Sequence, residues 1–274
     1  MQFDIFRISM TLRRQITIEE YSSHARDTPT REQWLRRIFS NRIVFFDRGK
    51  QYYYTALSVE EGEALHGRIG REITEKENLS PDQGFEKTQH SSWQAAEVII
   101  DPTSHQNGQQ LLIEIKPSVG TTNSIINALT NYLNKTQHHS PYLFDIGAIS
   151  DPKTFWDFSA ENKGKITSLT FEVTVPNMFG HANNFDEEMR KYREYEKAQK
   201  VSTTIKSPDG LDSETDTIKN AVDYTSKTGG TIKAKAKNKK YYNSNKNQRK
   251  VQISEIKETN TFIDSVKKIV SKIL

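Results

Sequence analysis

The chain has 274 residues and no cysteine, with 34% hydrophobic residues, 27% charged residues and a net charge of +4 at pH 7. This length suffices for one large domain or two smaller ones with a buried core. The absence of cysteine excludes disulfides, thiol catalysis and thiolate zinc sites. No apolar run approaches the roughly 18 residues of a membrane span, and the first residues lack a secretory pattern, so we expect a cytosolic protein without membrane contact.

The first part of the chain predicts a strand, a helical segment and a β-hairpin. Phe3 to Leu12 has the pattern of a strand, and Ile16 to Ser40 is predicted to be mostly helical, with a break near Pro29. Arg42 to Leu57 predicts a hairpin whose turn lies at Arg48-Gly49. The polar stretch from Glu72 to Ser92 that follows predicts a mobile loop or a boundary within the fold.

A second predicted hairpin runs from Ala96 to Lys116. Asn107-Gly108 is the strongest two-residue hairpin signal, and a two-residue turn there pairs Asp101 with Glu114 across the two strands. Lys116 follows Glu114 by two residues, so the pattern predicts that all three side chains share one face of the hairpin.

An aspartate opposite a Glu-x-Lys motif resembles the PD-(D/E)xK nucleases, a likeness confined to this hairpin. The resemblance implies that Asp101 and Glu114 hold Mg²⁺ while Lys116 orients or activates the attacking water. A further carboxylate would come from Glu97 or Glu86, and no glutamine follows the lysine where such sites often have one. The alternative is that the three residues are the solvent side of a half-buried hairpin.

The second half of the chain mixes helices and strands without a regular βα alternation. The predicted fold class is therefore α+β, with mixed or antiparallel sheets built from hairpins, packed helices and a C-terminal amphipathic helix. Residues 1–71, 93–180 and 181–274 are candidate regions, or parts of one compact fold. The predicted helices are Thr122–Lys135, one opening at Pro152, Phe185–Val201, Thr215–Ser226 and Thr261–Leu274, and the predicted strands are Leu143–Ile149, Lys165–Val175 and Thr231–Lys237.

The segment from Ser226 to Lys250 concentrates the positive charge of the chain. It has nine Lys or Arg and no acidic residue, so the other 249 residues carry a net charge of −5 (+4 minus +9). Thr231 to Lys237 alternates strictly, which in a strand places Ile and Ala on one face and three lysines on the other. Lysines on that face repeat at roughly 6.6–6.8 Å, close to the spacing of phosphates along one nucleic-acid strand.

A locally basic surface on a nearly neutral body predicts a polyanionic partner, most often nucleic acid. Lysines bind phosphates, and tyrosines beside cations stack on bases. One alternative is an edge strand whose lysines prevent edge-to-edge pairing, followed by a solvated loop. Another is a protein-interaction subunit whose C-terminal helix docks a partner. The candidate nucleic-acid-binding residues are Lys233, Lys235, Lys237, Lys239, Lys240, Tyr241, Tyr242, Lys246, Arg249 and Lys250.

Three strings in the chain resemble an uncharacterised bacterial family associated with mobile-element and phage-defence neighbourhoods. They are Trp93-Gln-Ala-Ala-Glu-Val-Ile-Ile-Asp-Pro, Val175-Pro-Asn-Met-Phe-Gly180 and the stretch from Ala221 to Lys237. The resemblance implies a bacterial cytosolic protein of a defence system, with nucleic acid or other defence proteins as partners. It carries over no active-site residues. No cofactor is expected, apart from Mg²⁺ if the hairpin is a nuclease.

Overall fold

A computed structural model of the chain describes residues 1–13, 29–58, 64–103, 108–136, 140–174, 192, 198 and 200–253. These ranges contain four α-helices and twelve strands in two antiparallel sheets, so the predicted α+β class is confirmed. None of the described helices is long and apolar enough to cross a membrane. The predicted helix Thr261–Leu274 and most of Phe185–Val201 lie outside the described residues.

The strands of the first sheet are β1 (Gln2–Leu12), β2 (Ile43–Asp47), β3 (Lys50–Ser58), β4 (Leu65–Asn78), β5 (Lys87–Asp101), β6 (Gln109–Glu114), β7 (Tyr142–Ala148) and β12 (Lys250–Gln252). Their order is β12-β1-β6-β5-β4-β3-β2, with β7 also paired to β1. Helices α1 (Arg31–Phe39) and α2 (Thr122–Thr136) pack on one face and bury the largest of the apolar clusters.

The turn between β2 and β3 lies at Arg48-Gly49, as the sequence predicts. Both residues have positive φ, 47° and 79°. Positive φ at both central positions is the geometry of a two-residue turn whose twist matches that of the paired strands. Along β3 the side chains then alternate, so that Tyr52 and Tyr54 are buried in the core.

The polar stretch Glu72–Ser92 is a β-ribbon instead of the predicted loop. β4 and β5 pair without interruption from Leu65↔Ile100 to Asn78↔Lys87, so the candidate regions 1–71 and 93–180 share one sheet. Strand β3 accompanies β4 only as far as Gly70. Residues 71–94, which we call the arm, are therefore two-stranded. A ribbon with both faces in water needs no apolar alternation, which is why its sequence resembles a loop.

The second sheet has the strand order β11-β10-β8-β9. Its strands are β8 (Ile166–Thr174), β9 (Lys200–Lys206), β10 (Thr231–Ala236) and β11 (Tyr241–Asn243). Helices α3 (Pro152–Glu161) and α4 (Asp216–Lys227) pack together with one face of this sheet in a second apolar cluster. The helices therefore occupy one side of the sheet, and the other side carries the polar side chains of the strands.

The two sheets are in direct backbone contact near Gly147 of β7 and Gly229, which lies between α4 and β10. A Cβ atom at position 147 would fall on the carbonyl oxygen of Gly229, so this approach requires a residue without a side chain. Backbone hydrogen bonds continue the contact. The amide of Ser150 donates to the carbonyl of Ser226 at 3.3 Å, and the amide of Arg249 donates to the carbonyl of residue 149 at 2.8 Å.

Candidate nucleic-acid interface

The face of the second sheet opposite α3 and α4 is polar and carries lysines from two strands. Strand β10 alternates as predicted, with Ile232 and Ala234 buried and Lys235 exposed. The pairing of β10 with β8 and β11, and of β8 with β9, identifies the side chains that share this face. We call it the open face: Ser168, Thr170, Glu172, Thr174, Lys200, Ser202, Thr204, Lys206, Thr231, Lys233, Lys235, Tyr241 and Asn243.

The register arranges the cations of the open face in cross-strand rows. Lys235 and Lys206 flank Ser168 in one row, two strand spacings or roughly 10 Å apart. Tyr241, which is 50% exposed, lies beside Lys235 at the end of the same row. The face carries four lysines and one glutamate, a net charge of +3.

The lysines of the open face differ in how much of their charge is available. Lys233 Nζ lies 2.8 Å from Glu172 Oε1, so these two charges offset each other locally. Lys200, Lys206 and Lys235 form no ion pair with any residue in the described ranges. Lys206 and Lys235 also share one cross-strand row with the exposed Tyr241, so these two side chains are the strongest candidates to contact an anion.

Strand β10 is an interior strand of the sheet, paired with β8 on one side and β11 on the other. Lysines that prevent edge-to-edge pairing belong on a strand whose backbone edge is unpaired. The edge-strand explanation of Lys233 and Lys235 is therefore wrong. The remaining alternatives for these lysines are a binding surface and a solvated sheet face.

Tyr242 cannot stack on a base, because its side chain is only 5% exposed. The ring packs edge-on against Phe155, with 5.7 Å between centroids, and its hydroxyl forms a 2.9 Å hydrogen bond with Thr154. Burial raises the pKa of this phenol. Because neighbouring residues of a strand point to opposite faces, the exposure of Tyr241 requires that Tyr242 points inward.

The remaining predicted cations are spread over other parts of the molecule. Lys237 Nζ donates to the carbonyl of Asp209 at 3.1 Å, and Lys240 Nζ lies 3.3 Å from Glu161 of α3, on the helical side of the sheet. Lys239 occupies the turn after β10 with φ of 62°. Lys246 and Arg249 lie beyond β11, and Lys250 pairs opposite Asp4 in the first sheet. The basic segment is therefore continuous in sequence but does not form one surface.

Two lysines of the open face, Lys200 and Lys206, were not among the predicted binding residues. The charged run before them predicts a helix that continues to Val201, whereas Lys200 and Val201 belong to β9. The end of the predicted helix Phe185–Val201 is therefore wrong. The signal for a strand is present in the sequence, because polar residues occupy every even position from 200 to 206 while Val201 and Ile205 are apolar.

The hairpin of β5 and β6 has a different register from the predicted one. Asp101 lies opposite Gln110 instead of Glu114, because residues 102–108 separate the strands in place of a two-residue turn. Asp101 and Glu114 keep the same face but are offset by four residues, roughly 13 Å along the strand. Ligands of Mg²⁺ lie about 2.0–2.1 Å from the ion, so this offset separates the two carboxylates too far to share one ion.

Glu114 lies instead beside Glu97, whose backbone amide donates to Glu114 Oε2 at 3.1 Å. The carboxylate of Glu97 contacts His66 Nε2 at 2.7 Å and Arg68 Nε at 2.6 Å. Burial alone would raise the pKa of Glu97, but the hydrogen bonds with His66 and Arg68 outweigh burial and lower it. Both oxygens of Glu97 are therefore occupied by side chains of the sheet.

The other two members of the predicted catalytic set also have partners within the fold. Lys116 Nζ donates to the carbonyl of Ala95 at 2.8 Å, and Asp101 Oδ1 accepts from the amide and the hydroxyl of Thr103. The described ranges contain no group of three or more His, Cys, Asp or Glu arranged to hold a metal ion. The hairpin thus has the geometry of a hydrogen-bonded sheet, and Asp101 is buried instead of lying on the predicted solvent side.

Comparisons with protein families, characterised proteins and solved structures found no significant match. Neither the resemblance to a bacterial defence-associated family nor the nuclease likeness is therefore tested by a relative. What the chain does has to be inferred from its own geometry and charge.

Proposed function

We propose that the protein binds single-stranded nucleic acid on the open face of the second sheet. One observation carries the proposal: the lysines of β10 lie on an interior strand, in an exposed polar face with a net charge of +3, while both helices pack on the opposite side. Neither edge protection nor core packing accounts for cations in that position. A phosphate backbone is a ligand whose charge matches them.

Each kind of side chain on the face has a role in this binding mode. Lys206 and Lys235 bind phosphates. The hydroxyls of Thr170 and Thr204 bond each other at 3.0 Å, which leaves one hydroxyl proton of the pair to donate to a phosphate or sugar oxygen. Tyr241, exposed at the end of the row, stacks on an unpaired base. A sheet surface suits a single strand because unpaired bases can spread over it, whereas the grooves of a duplex admit a helix or a two-stranded ribbon.

The proposal is a binding function and requires no catalytic centre. Membership of a bacterial antiphage or mobile-element system, with other defence proteins as partners, is the context that the sequence resemblance implies. We do not propose an Mg²⁺-dependent nuclease through Asp101, Glu114 and Lys116, because the observed register separates the two carboxylates too far to share one ion. Partner docking by the helix Thr261–Leu274, which lies outside the described residues, stays a separate prediction.

The test compares two double variants that remove the same charge from opposite sides of the second sheet. Lys206→Gln with Lys235→Gln alters the open face, whereas Lys219→Gln with Lys227→Gln alters α4. Lys219 and Lys227 form exposed pairs within α4, at 3.2 and 2.9 Å from their carboxylates. Such pairs contribute roughly 0–1 kcal/mol, so the control variant is expected to fold.

Affinity for labelled single-stranded DNA and RNA is measured across a salt series. Removing one lysine that binds a phosphate lowers the slope of log K against log[salt] by about 0.7, so the slope of the open-face variant is expected to fall by about 1.4. The α4 variant keeps the wild-type slope. Equal slopes in the two variants, or a wild-type protein whose binding does not depend on salt, would overturn the proposal.

A further inference from the structure

A cleft of about 240 Å³ lies at the junction of the two sheets, at one end of the open face. Glu172, Lys200 and Thr231 belong both to the open face and to the wall of the cleft. The opposite wall comes from the first sheet and its helix, through Asp145 of β7 and Asn127 of α2. A nucleic-acid strand lying on the open face therefore passes the mouth of the cleft.

The cleft lacks the excess positive charge of the face. Its lining includes two carboxylates, Asp145 and Glu172, and one lysine, Lys200, and Lys233 lies 2.8 Å from Glu172 and offsets its charge. The charges of Asp145 and Lys200 then balance, so a phosphate gains less inside the cleft than on the face, where Lys206 and Lys235 form no ion pair in the described ranges. The charges thus favour the phosphate backbone on the face and an uncharged part of the strand in the cleft.

The cleft offers hydrogen-bonding groups that suit an uncharged ligand with N–H donors. Asp145 accepts from the Thr174 hydroxyl, and an ionised carboxylate has about four acceptor positions, so capacity remains for further donors. Asn127 is exposed and has no hydrogen bond with the described part of the chain, which leaves both its donor and its acceptor available. Phe6 and Ile146 add apolar lining.

We propose that this cleft takes one base of the bound strand and favours a base with an exocyclic amino group, an inference that rests on the proposed function. Its volume lies below the roughly 300–1,000 Å³ of sites that enclose a drug-sized molecule, so it suits a single base. Carboxylates accept from the amino group of cytosine, and asparagine pairs with the amino group and ring nitrogen of adenine. Thymine has a carbonyl at the equivalent position, which the carboxylate of Asp145 repels.

The test measures the affinity of oligo(dA), oligo(dC) and oligo(dT) of about 12 nucleotides for the wild-type protein and two cleft variants. Asn127→Ala removes the amide from a helix position where alanine is favourable, so folding is retained. Asp145→Asn exchanges a group that only accepts for one that can also donate to the thymine carbonyl. The double variant Lys206→Gln with Lys235→Gln serves as the control for backbone binding.

We expect the wild-type protein to bind oligo(dA) or oligo(dC) at least about fivefold more tightly than oligo(dT) at one salt concentration. Asn127→Ala should reduce this ratio, Asp145→Asn should shift it towards oligo(dT), and both should keep the wild-type salt slope. The open-face variant should instead weaken all three oligonucleotides and keep the ratio. Stacking within free oligo(dA) is the same for every variant, so the change in ratio is the decisive quantity.

Salt-dependent binding with a ratio that neither cleft variant changes would overturn the base site and leave the proposed function standing. Absence of salt-dependent binding to any of the oligonucleotides would overturn both. The two failures are therefore distinguishable within one experiment.

Discussion

Replacing Glu97 by glutamine tests whether the contacts of Glu97 with His66 and Arg68 stabilise the fold. The side chain is 15% exposed and bridges His66 Nε2 at 2.7 Å and Arg68 Nε at 2.6 Å. Glutamine keeps the shape and one acceptor oxygen. It loses the negative charge and replaces the second acceptor with an NH₂ donor, so both contacts lose the strengthening that a charged acceptor gives.

The size of the effect follows from these two hydrogen bonds. A hydrogen bond to a charged group contributes roughly 1.5–3 kcal/mol to stability. The Arg68 side chain is 53% exposed, and solvent screening reduces its share to roughly 0–1 kcal/mol. We therefore expect Glu97→Gln to lower the free energy of unfolding at pH 7 by about 1–3 kcal/mol.

The effect on stability should depend on pH with a defined sign. The pKa of Glu97 is lowered in the folded protein, since the hydrogen bonds with His66 and Arg68 outweigh the effect of burial. The stabilisation it supplies is therefore present above its ordinary pKa of 4.5 and is lost as the pH falls through the lowered value. The difference in free energy of unfolding between wild type and Glu97→Gln should become smaller in acid, because Glu97 is then protonated and glutamine does not titrate.

Urea unfolding of both proteins at neutral and acidic pH measures this difference. Glu77→Gln is the matched control, because its side chain is 59% exposed on the arm and its described ion-pair partner, His90, lies 3.6 Å away. We expect the control to change stability by less than about 0.5 kcal/mol. A Glu97→Gln protein that is as stable as wild type would refute this reasoning, and so would a stabilisation by Mg²⁺ that the variant lacks.

Two further predictions concern the junction of the sheets and a buried carboxyl. Burial raises the pKa of Asp4, against the opposing effects of Thr122 and Lys250. The protonated carboxyl therefore contributes to stability below pH 3.8, its ordinary pKa, and this contribution is lost as the pH rises through the raised pKa. Asp4→Asn keeps an acceptor for the Thr122 hydroxyl and should therefore raise the free energy of unfolding at pH 7 by on the order of 1 kcal/mol, measured by urea denaturation, with little effect near pH 3. Gly147→Ala adds a Cβ atom against the Gly229 carbonyl and should lower stability by about 3 kcal/mol or more; an unchanged melting temperature would show that the sheets do not meet there.

The strands of the open face show what a local pattern can and cannot predict. Strand β10 is predictable because its alternation is strict, with apolar residues at every even position from 232 to 236 and lysines between them. Strand β9 has a similar alternation between Lys200 and Lys206, but the charged run before it has helical spacing and extends the predicted helix into the strand. The position of β10 inside the sheet depends on pairings between segments distant in the chain.

The register of β5 and β6 could not be predicted from the hydrophobic pattern. The predicted and observed pairings of Asp101 differ by four residues, and a shift by an even number keeps every side chain on its original face. Both registers therefore bury the same apolar set, including Ile100 and Leu111. The choice between the two registers depends on packing against β1 and β4, and the residues of these strands lie outside the hairpin sequence.

Strands β4 and β5 differ in local stability between the sheet and the arm. Near the core, β4 and β5 have strand partners on both sides, but in the arm each is the other's only strand partner. A two-stranded ribbon is marginally stable in water, so amide protons of the arm exchange through local opening, at a lower free energy than those within the sheet. A force or a partner that acts at the tip, where Phe85 is 60% exposed, therefore opens the paired strands of the arm before it changes the sheet.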